Sequence, residues 1–305
     1  MIPEHELVAF TRPASLTEEQ RCDRATRMVR EAMSEDPGVA QRRRRVFAQG
    51  SYPNNTNARQ NSDVDICVIL EDVHWCNFED SPGESLESCD YTPTTAVFAD
   101  DRHLVHLALI RKFGADHITP GKKAFDVHSV VGSRVDADVV PAWRFRAFHG
   151  RDTRGQPLSV DGVTFWSTDG RQIINFPEHH LENGASKNTR TNGYFKSAAR
   201  ILKHVRYDML DDKLPVADGV SSFLLESLLY NLSDGVFMGY ASWQDRMQNL
   251  LYHMHDALNT GVAEREWVEV SGCKWVFRPT YSLAANWTPE QARAFVLAAY
   301  ARIVG

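Results

Sequence analysis

Two aspartates one residue apart, Asp63 and Asp65, follow a Gly50-Ser51 corner at a spacing that suits metal-dependent nucleotidyl transfer. Side chains alternate along a strand, so both carboxylates point one way while Val64 and Ile66 point into a core. Carboxylates so placed repel each other, and the arrangement becomes favourable when cations sit between them and a polyphosphate. A second acidic stretch, Arg134-Val-Asp136-Ala-Asp138-Val-Val-Pro141, puts Asp136 and Asp138 on one face and Val135, Ala137 and Val139 on the other. A third carboxylate beside the pair completes a two-cation site, in which one ion activates an attacking hydroxyl and the other holds the leaving pyrophosphate. Asp138, deeper in its strand, is the chosen third ligand, with Asp136 as the alternate on the same face. Catalysis of this kind rests on alignment and charge neutralisation, which calls for phosphate ligands elsewhere. Gly50 lets the backbone approach a triphosphate, Ser51 offers a hydroxyl and an N–H, and Lys203 can reach phosphates as a mobile point charge.

The elements that position these groups are legible from periodicity. Thr17 to Met33 reads as an amphipathic helix ended by Pro37-Gly38, followed by strands at 45–49 and 64–70. The second strand is apolar throughout after Asp65, so it should be covered on both faces. Residues 71–92 are acidic with Ser81-Pro82-Gly83 and read as a mobile surface loop, then a helix near 93–114. Strands are expected at 122–131 and 134–140, the latter stopped by Pro141. Asp152 to Gly170 is turn-rich, and a boundary falls there: residues 1–165 form a core with its leading helix and 166–305 a helical lobe. In the helix near 192–210, Phe195, Ala198, Leu202, Val205 and Met209 share one stripe, and Lys196, Arg200 and Lys203 an adjoining basic one. Helices near 221–233, 243–259 and 288–303 follow, the last opened by the capping box Thr288-Pro289-Glu290-Gln291, and Trp267 to Arg278 reads as a hairpin.

Of the 305 residues 43% are hydrophobic and 24% charged, enough for one large or two modest domains, and the net charge of −6 disfavours a long nucleic-acid-gripping surface. Five scattered cysteines argue for reduced thiols and a cytoplasmic setting. The opening residues lack a basic, apolar leader, and nowhere do about 18 apolar residues run together, so a soluble protein with no membrane partner is expected. His74, Cys76 and Cys89 lack zinc-site spacing, and His179-His180 and His253-x-His255 read as surface or packing residues.

These blocks together resemble the bacterial CD-NTases, the cGAS/DncV-like nucleotidyltransferases that make the signals of CBASS anti-phage defence, and most closely their CdnE branch. The resemblance is carried by Gln49-Gly50-Ser51-Tyr52, Ser62-Asp63-Val64-Asp65, Ala137-Asp138-Val139-Val140 and Ile174-Asn175-Phe176-Pro177. It extends through His180, Glu182-Asn183-Gly184, Lys187-Asn188, Thr191, Lys196 and Lys203 to Ser222-Phe223-Leu224-Leu225-Glu226 and Leu228-Leu229-Tyr230-Asn231. It implies an α+β fold: a DNA polymerase beta-like core with a mixed sheet, joined to a helical C-terminal lobe, with substrates in the cleft between them. Asp63, Asp65 and Asp138 would hold two magnesium ions, or manganese in their place. Gln49, Gly50, Ser51, Lys196, Lys203 and Ser222 would bind nucleotide, with Ser51, Lys203 and Ser222 on the donor triphosphate and Phe223 stacked on the donor base.

In CdnE-like enzymes an asparagine at the place of Asn175 goes with pyrimidine use, and its amide can both donate to and accept from a uracil edge. UTP is therefore the expected substrate, with CTP or ATP as alternatives, and cyclic di-UMP the expected product, read by a downstream effector. A synthase of mixed or linear oligonucleotides would use the same site. A catalytically silent nucleotide-binding partner would keep the fold, but the presence of all three carboxylates argues against it.

Overall fold

The computed structural model describes residues 1–58, 63–130 and 134–305; Ser62 of the Ser-Asp-Val-Asp motif and residue 131 of the expected 122–131 strand lie outside them. The chain forms two compact units. One contains Ser15–Pro53 and the described residues from 63 to Pro177; the other contains Met1–Ala14, residues 54–58 and Glu178–Gly305. Residues 166–177, expected in the helical lobe, thus pack with the sheet, and residues 1–14 and 54–58, expected in the core, pack with the helices.

Among the described residues the first unit is a seven-stranded mixed sheet with helices. Its strands are β1 (Arg44–Gln49), β2 (Val64–Asn77), β3 (Ile118–Pro120), β4 (Phe125–Val127), β5 (Ala137–Arg151), β6 (Pro157–Trp166) and β7 (Gln172–Asn175). The order is β1-β2-β5-β4-β3, with β6 on β5 and β7 on β6, and β2 and β5 are the one parallel pair among the described strands. Alternation along β2 divides it between two cores. Val64, Ile66, Val68 and Leu70 pack with Ala25, Val29 and Met33 of the Leu16–Glu35 helix and Val105 and Leu109 of the Phe98–Phe113 helix. Cys67 and Ile69 pack on the opposite face with Val140, Ala142, Val163 and Phe165. Both faces are covered, which accounts for the unbroken apolar run. The leading helix opens with Ser15 and Glu18 in a reciprocal capping box.

Three sequence expectations are corrected. Pro141 does not stop β5, because it lies between the end of β4 pairing at Val139 and the start of β6 pairing at Trp143, an interval in which proline is tolerated in a sheet. The stretch from Asp152 to Gly170 contains β6: turn residues at both ends hide a strand whose Val163, Thr164 and Phe165 are all buried. Residues 71–77 continue β2 past a register shift between Leu70 and His74, so the acidic loop starts only afterwards, tied down by Arg151 on Glu84 and by the Gly150 N–H on Ser81.

In the second unit the Tyr194–Asp211 helix forms the centre, with Phe195, Ala198, Leu202, Val205 and Met209 all buried against Leu224, Leu228, Met247, Leu251, Phe295 and Ala299. The stripe expected from 3.6-residue spacing is the one buried. The capping box at Thr288 and Gln291 is formed, with Pro289 at the first helical position. The expected hairpin at 267–278 is reduced to one antiparallel bridge, Val268 to Trp275, around Gly272 at φ +72°. No helix among the described residues is long and apolar enough to cross a membrane.

Candidate active site

The acidic side chains gather on one face because strand pairing places them in register. Gln49 of β1 is the partner of Asp65, Asp65 is the partner of Asp138, and Asp138 is the partner of Asp126 on β4. Opposed residues project to the same side of a sheet, so one row carries three carboxylates, and Asp63, two positions before Asp65, projects to that side as well. The crowding shows in proton affinity. Asp138 is pushed up to about 7 by burial, by a hydrogen bond with Asp126 and by the charges of Asp65, Asp126 and Asp63. Asp63 is also raised, first by burial and then by Asp136 and Asp126. Asp136 is occupied elsewhere: its Oδ1 accepts the Ser129 N–H at 2.8 Å, which favours Asp138 as the third member. As they stand, no three His, Cys, Asp or Glu side chains among the described residues close into a metal cage. Hard oxygen donors that repel one another are nonetheless the donor chemistry that suits magnesium.

Gly50 turns the chain directly after β1 at φ +76°, where a side chain is strained. A Cβ there would collide with Asp65 Oδ2, so the absence of a side chain is what allows the corner to lie against the carboxylate. Gly50→Ala is expected to shift Asp65 and lower kcat about 100-fold, the scale of a misplacement near 1 Å, with turnover in steady-state assays as the check. Ser51 is half-buried, and its hydroxyl has no protein partner among the described residues.

Asn175 ends β7 opposite Val163. Its half-buried amide makes no hydrogen bond among the described residues, so it does not cap the helix that begins at Pro177. The turn it occupies is fixed from below. Phe176 is buried and meets Phe145 edge-on at 5.8 Å, and a Cβ on Gly162 would lie 2.6 Å from the Asn175 carbonyl oxygen and 2.8 Å from the Phe176 ring. Gly162 is a participant that the sequence reading did not single out; a glycine inside a strand is the signal of such a close approach.

In the helical unit, Lys203 is not the mobile charge expected. It is 2% exposed, and its ammonium is bonded to Glu226 Oε1, to the Thr56 carbonyl at 2.9 Å and to Thr56 Oγ1 at 3.0 Å. Thr56 donates to the same Glu226 oxygen at 2.7 Å, and His180 Nε2 lies 3.1 Å from the other. Although burial opposes it, the Lys203 charge and the His180 contact hold Glu226 well below the usual carboxylate range. Arg200, of the same basic stripe, is buried and donates to the Thr11 and Asn55 carbonyls, and desolvation lowers it to about 10. Lys196 differs from both: half-buried, lowered by desolvation, and without an ion pair among the described residues. Ser221, not Ser222, caps the Ser222–Tyr230 helix by accepting the Leu224 N–H, which leaves the Ser222 hydroxyl without a protein partner among the described residues. Phe223 stacks near-parallel on Trp287 at 6.0 Å and lies 5.1 Å from the His180 ring.

Known proteins share this architecture. Residues 182–303 match the cGAS/DncV-like nucleotidyltransferase C-terminal helical domain. The cyclic dipyrimidine nucleotide synthase CdnE of Cecembia lonarensis is 32% identical over 96% of this chain and 96% of its own length. A protein of the same name from Legionella pneumophila is 30% identical over 96% of this chain and 95% of its own. The solved structure of Rhodothermus marinus CdnE c-UMP-AMP synthase with Apcpp and Upnpp superposes with a TM-score of 0.80 at 26% identity, covering 98% of this chain and 95% of that one. With identity at this level over nearly the whole length of the relatives, the chain belongs to the CdnE group of cGAS/DncV-like nucleotidyltransferases, enzymes that make cyclic dinucleotides.

Proposed function

We propose that this enzyme joins pyrimidine nucleoside triphosphates, UTP foremost, into cyclic dipyrimidine dinucleotides, chiefly cyclic di-UMP, by two-magnesium nucleotidyl transfer, as a cytoplasmic signal of anti-phage defence. Asn175 carries the pyrimidine reading. Its amide is held on a turn locked by Phe176 and Gly162 and has both a donor and an acceptor unspent among the described residues, which is what a uracil edge pairs with. A site with unspent polar groups discriminates strongly, because the wrong base leaves them unpaired. Two relatives of the chain carry the dipyrimidine name, which supports the same reading.

Asp63, Asp65 and Asp138 are the residues that would hold magnesium, and their mutual repulsion is the observation that fits them to it. When bound, the ions neutralise phosphate charge and ease deprotonation of the attacking 3′-hydroxyl. Gly50 brings backbone to the Asp65 carboxylate, and Ser51, Lys196 and Ser222 offer donors for phosphate oxygens. Phe223, already flat against Trp287, offers its ring to a base, and a ring face accepts any base and leaves selection to edge contacts.

The test is incubation with each labelled NTP, alone and in pairs, with magnesium, followed by mass spectrometry and phosphatase treatment. Phosphatase-resistant cyclic di-UMP should dominate, and Asn175→Ala should cut UTP incorporation at least about tenfold relative to ATP, the worth of roughly one lost hydrogen-bonding pair. Purine-only products from the unaltered enzyme would sink the pyrimidine assignment, and phosphatase-sensitive products the cyclic one.

A further inference from the structure

The turn that carries Asn175 is seated on a stretch of β6 that has no side chain. Gly162 is the partner of Phe145 on β5, and its neighbour Val163 is the partner of Asn175 on β7, so three strands meet at this glycine. The Phe176 ring reaches Phe145 by lying across Gly162: a Cβ there would stand 2.8 Å from Cδ1 and 2.9 Å from Cε1 of the ring. An aromatic ring laid over a strand glycine is a device that pins register. Both rings are buried, Phe145 at 1% and Phe176 at 3%, in packing too dense for either to step aside freely. The Gly162 backbone is outside the left-handed region, so an added methyl group acts through these contacts and not through backbone strain.

We propose that Gly162 is a positioning residue that determines base choice: by carrying no side chain it lets the Asn175-Phe176 turn close onto β6, and so sets where the Asn175 amide stands. The proposal rests on the reading of Asn175 as the residue that meets the uracil edge. A Cβ at position 162 would lie 2.6 Å from the Asn175 carbonyl oxygen, and ordinary contact begins at 3.4 Å, so the two must part by about 0.8 Å. Recognition groups have to stay within about 0.5 Å of their productive geometry. Hydrogen bonds to a base edge tolerate only about 2.7–3.2 Å between heavy atoms. A turn displaced by the larger amount loses the pairing that favours uracil, whereas stacking on a flat ring accepts any base and is left in place. The added methyl group therefore lowers discrimination more than it lowers turnover.

The readout is the ratio of kcat/KM for UTP to that for ATP, measured in Gly162→Ala, in Asn175→Ala and in the two combined. Gly162→Ala should lower the ratio at least about tenfold, the worth of one misplaced hydrogen-bonding pair. In the Asn175→Ala background the same change should move it by no more than about twofold, because residues acting through one contact are not additive. An unchanged ratio in Gly162→Ala overturns the proposal, as does an equal fall for both nucleotides, which a purely structural role would give. A further tenfold drop in the Asn175→Ala background also overturns it, since Gly162 would then act by another route. If Gly162→Ala does not fold, Gly162→Ala/Phe176→Leu is compared with Phe176→Leu alone: the ring gives way, the carbonyl contact stays, and the ratio should still be lower in the double variant, with equality counting against the proposal. Asn175→Ala is the reference. If it leaves the ratio unchanged, the reading of Asn175 fails and takes the role of Gly162 with it; a lowered ratio there beside a normal Gly162→Ala removes the role of Gly162 alone.

Discussion

Replacing Asp63 and Asp65 together by asparagine is expected to lower pyrophosphate release by at least about a thousandfold while leaving the metal-free protein folded. The ions in such a site contribute several kcal/mol of charge stabilisation in the transition state, and each 1.36 kcal/mol is tenfold in rate. Neutral amides bind magnesium poorly, so that contribution is lost with the carboxylates. Metal-free stability should not fall, because Asp63 is pushed up first by burial and then by Asp136 and Asp126, and the variant removes charge from a crowded, partly desolvated face. A coupled pyrophosphate assay and a thermal melt without magnesium check both halves. Residual turnover within tenfold of the unaltered enzyme would overturn the assignment of these carboxylates.

Glu226→Ala is expected to carry the largest cost in stability, about 3–5 kcal/mol, because it leaves a buried ammonium without its counter-charge. Lys203 is 2% exposed and Glu226 5% exposed, and Thr56 and His180 contact the same carboxylate. The double variant Lys203→Met/Glu226→Leu should recover much of the loss, since a buried pair replaced by apolar groups is often neutral. Urea unfolding reads both, and a Glu226→Ala loss under about 1 kcal/mol would contradict the burial argument. Because Glu226 is held below its ordinary value of 4.5, the stabilisation from its charge is present above pH 4.5 and lost as the solution is acidified below it.

Periodicity carried much of this into the sequence reading. The alternation of β2 separated Asp63 and Asp65 from Val64 and Ile66, and the 3.6-residue stripe of Tyr194–Asp211 identified its buried face. Asp138 stands opposite Asp65 in the strand register, while Asp136 accepts the Ser129 N–H. What escaped depends on partners distant in sequence. Lys203 and Glu226 lie on different helices, and periodicity describes one helix at a time, so a cation at a stripe's edge reads as exposed until its partner is known. Asp126 belongs to a three-residue strand, too short for alternation to register, although the pattern Phe125-Asp126-Val127 was visible. Pro141 misled because a proline's cost depends on which neighbour flanks the strand at that point.

The cross-strand row also governs when the enzyme can exist at all. Gln49 and Asp65 are brought together by a local antiparallel pairing, but Asp138 joins them only after a long excursion through the Phe98–Phe113 helix, β3 and β4, ending in a parallel docking of β5 on β2. Such closures are entropically expensive and come late in folding. A nascent or clipped chain ending before Ala137 would carry the Asp-x-Asp pair without the carboxylate that stands opposite Asp65 on β5.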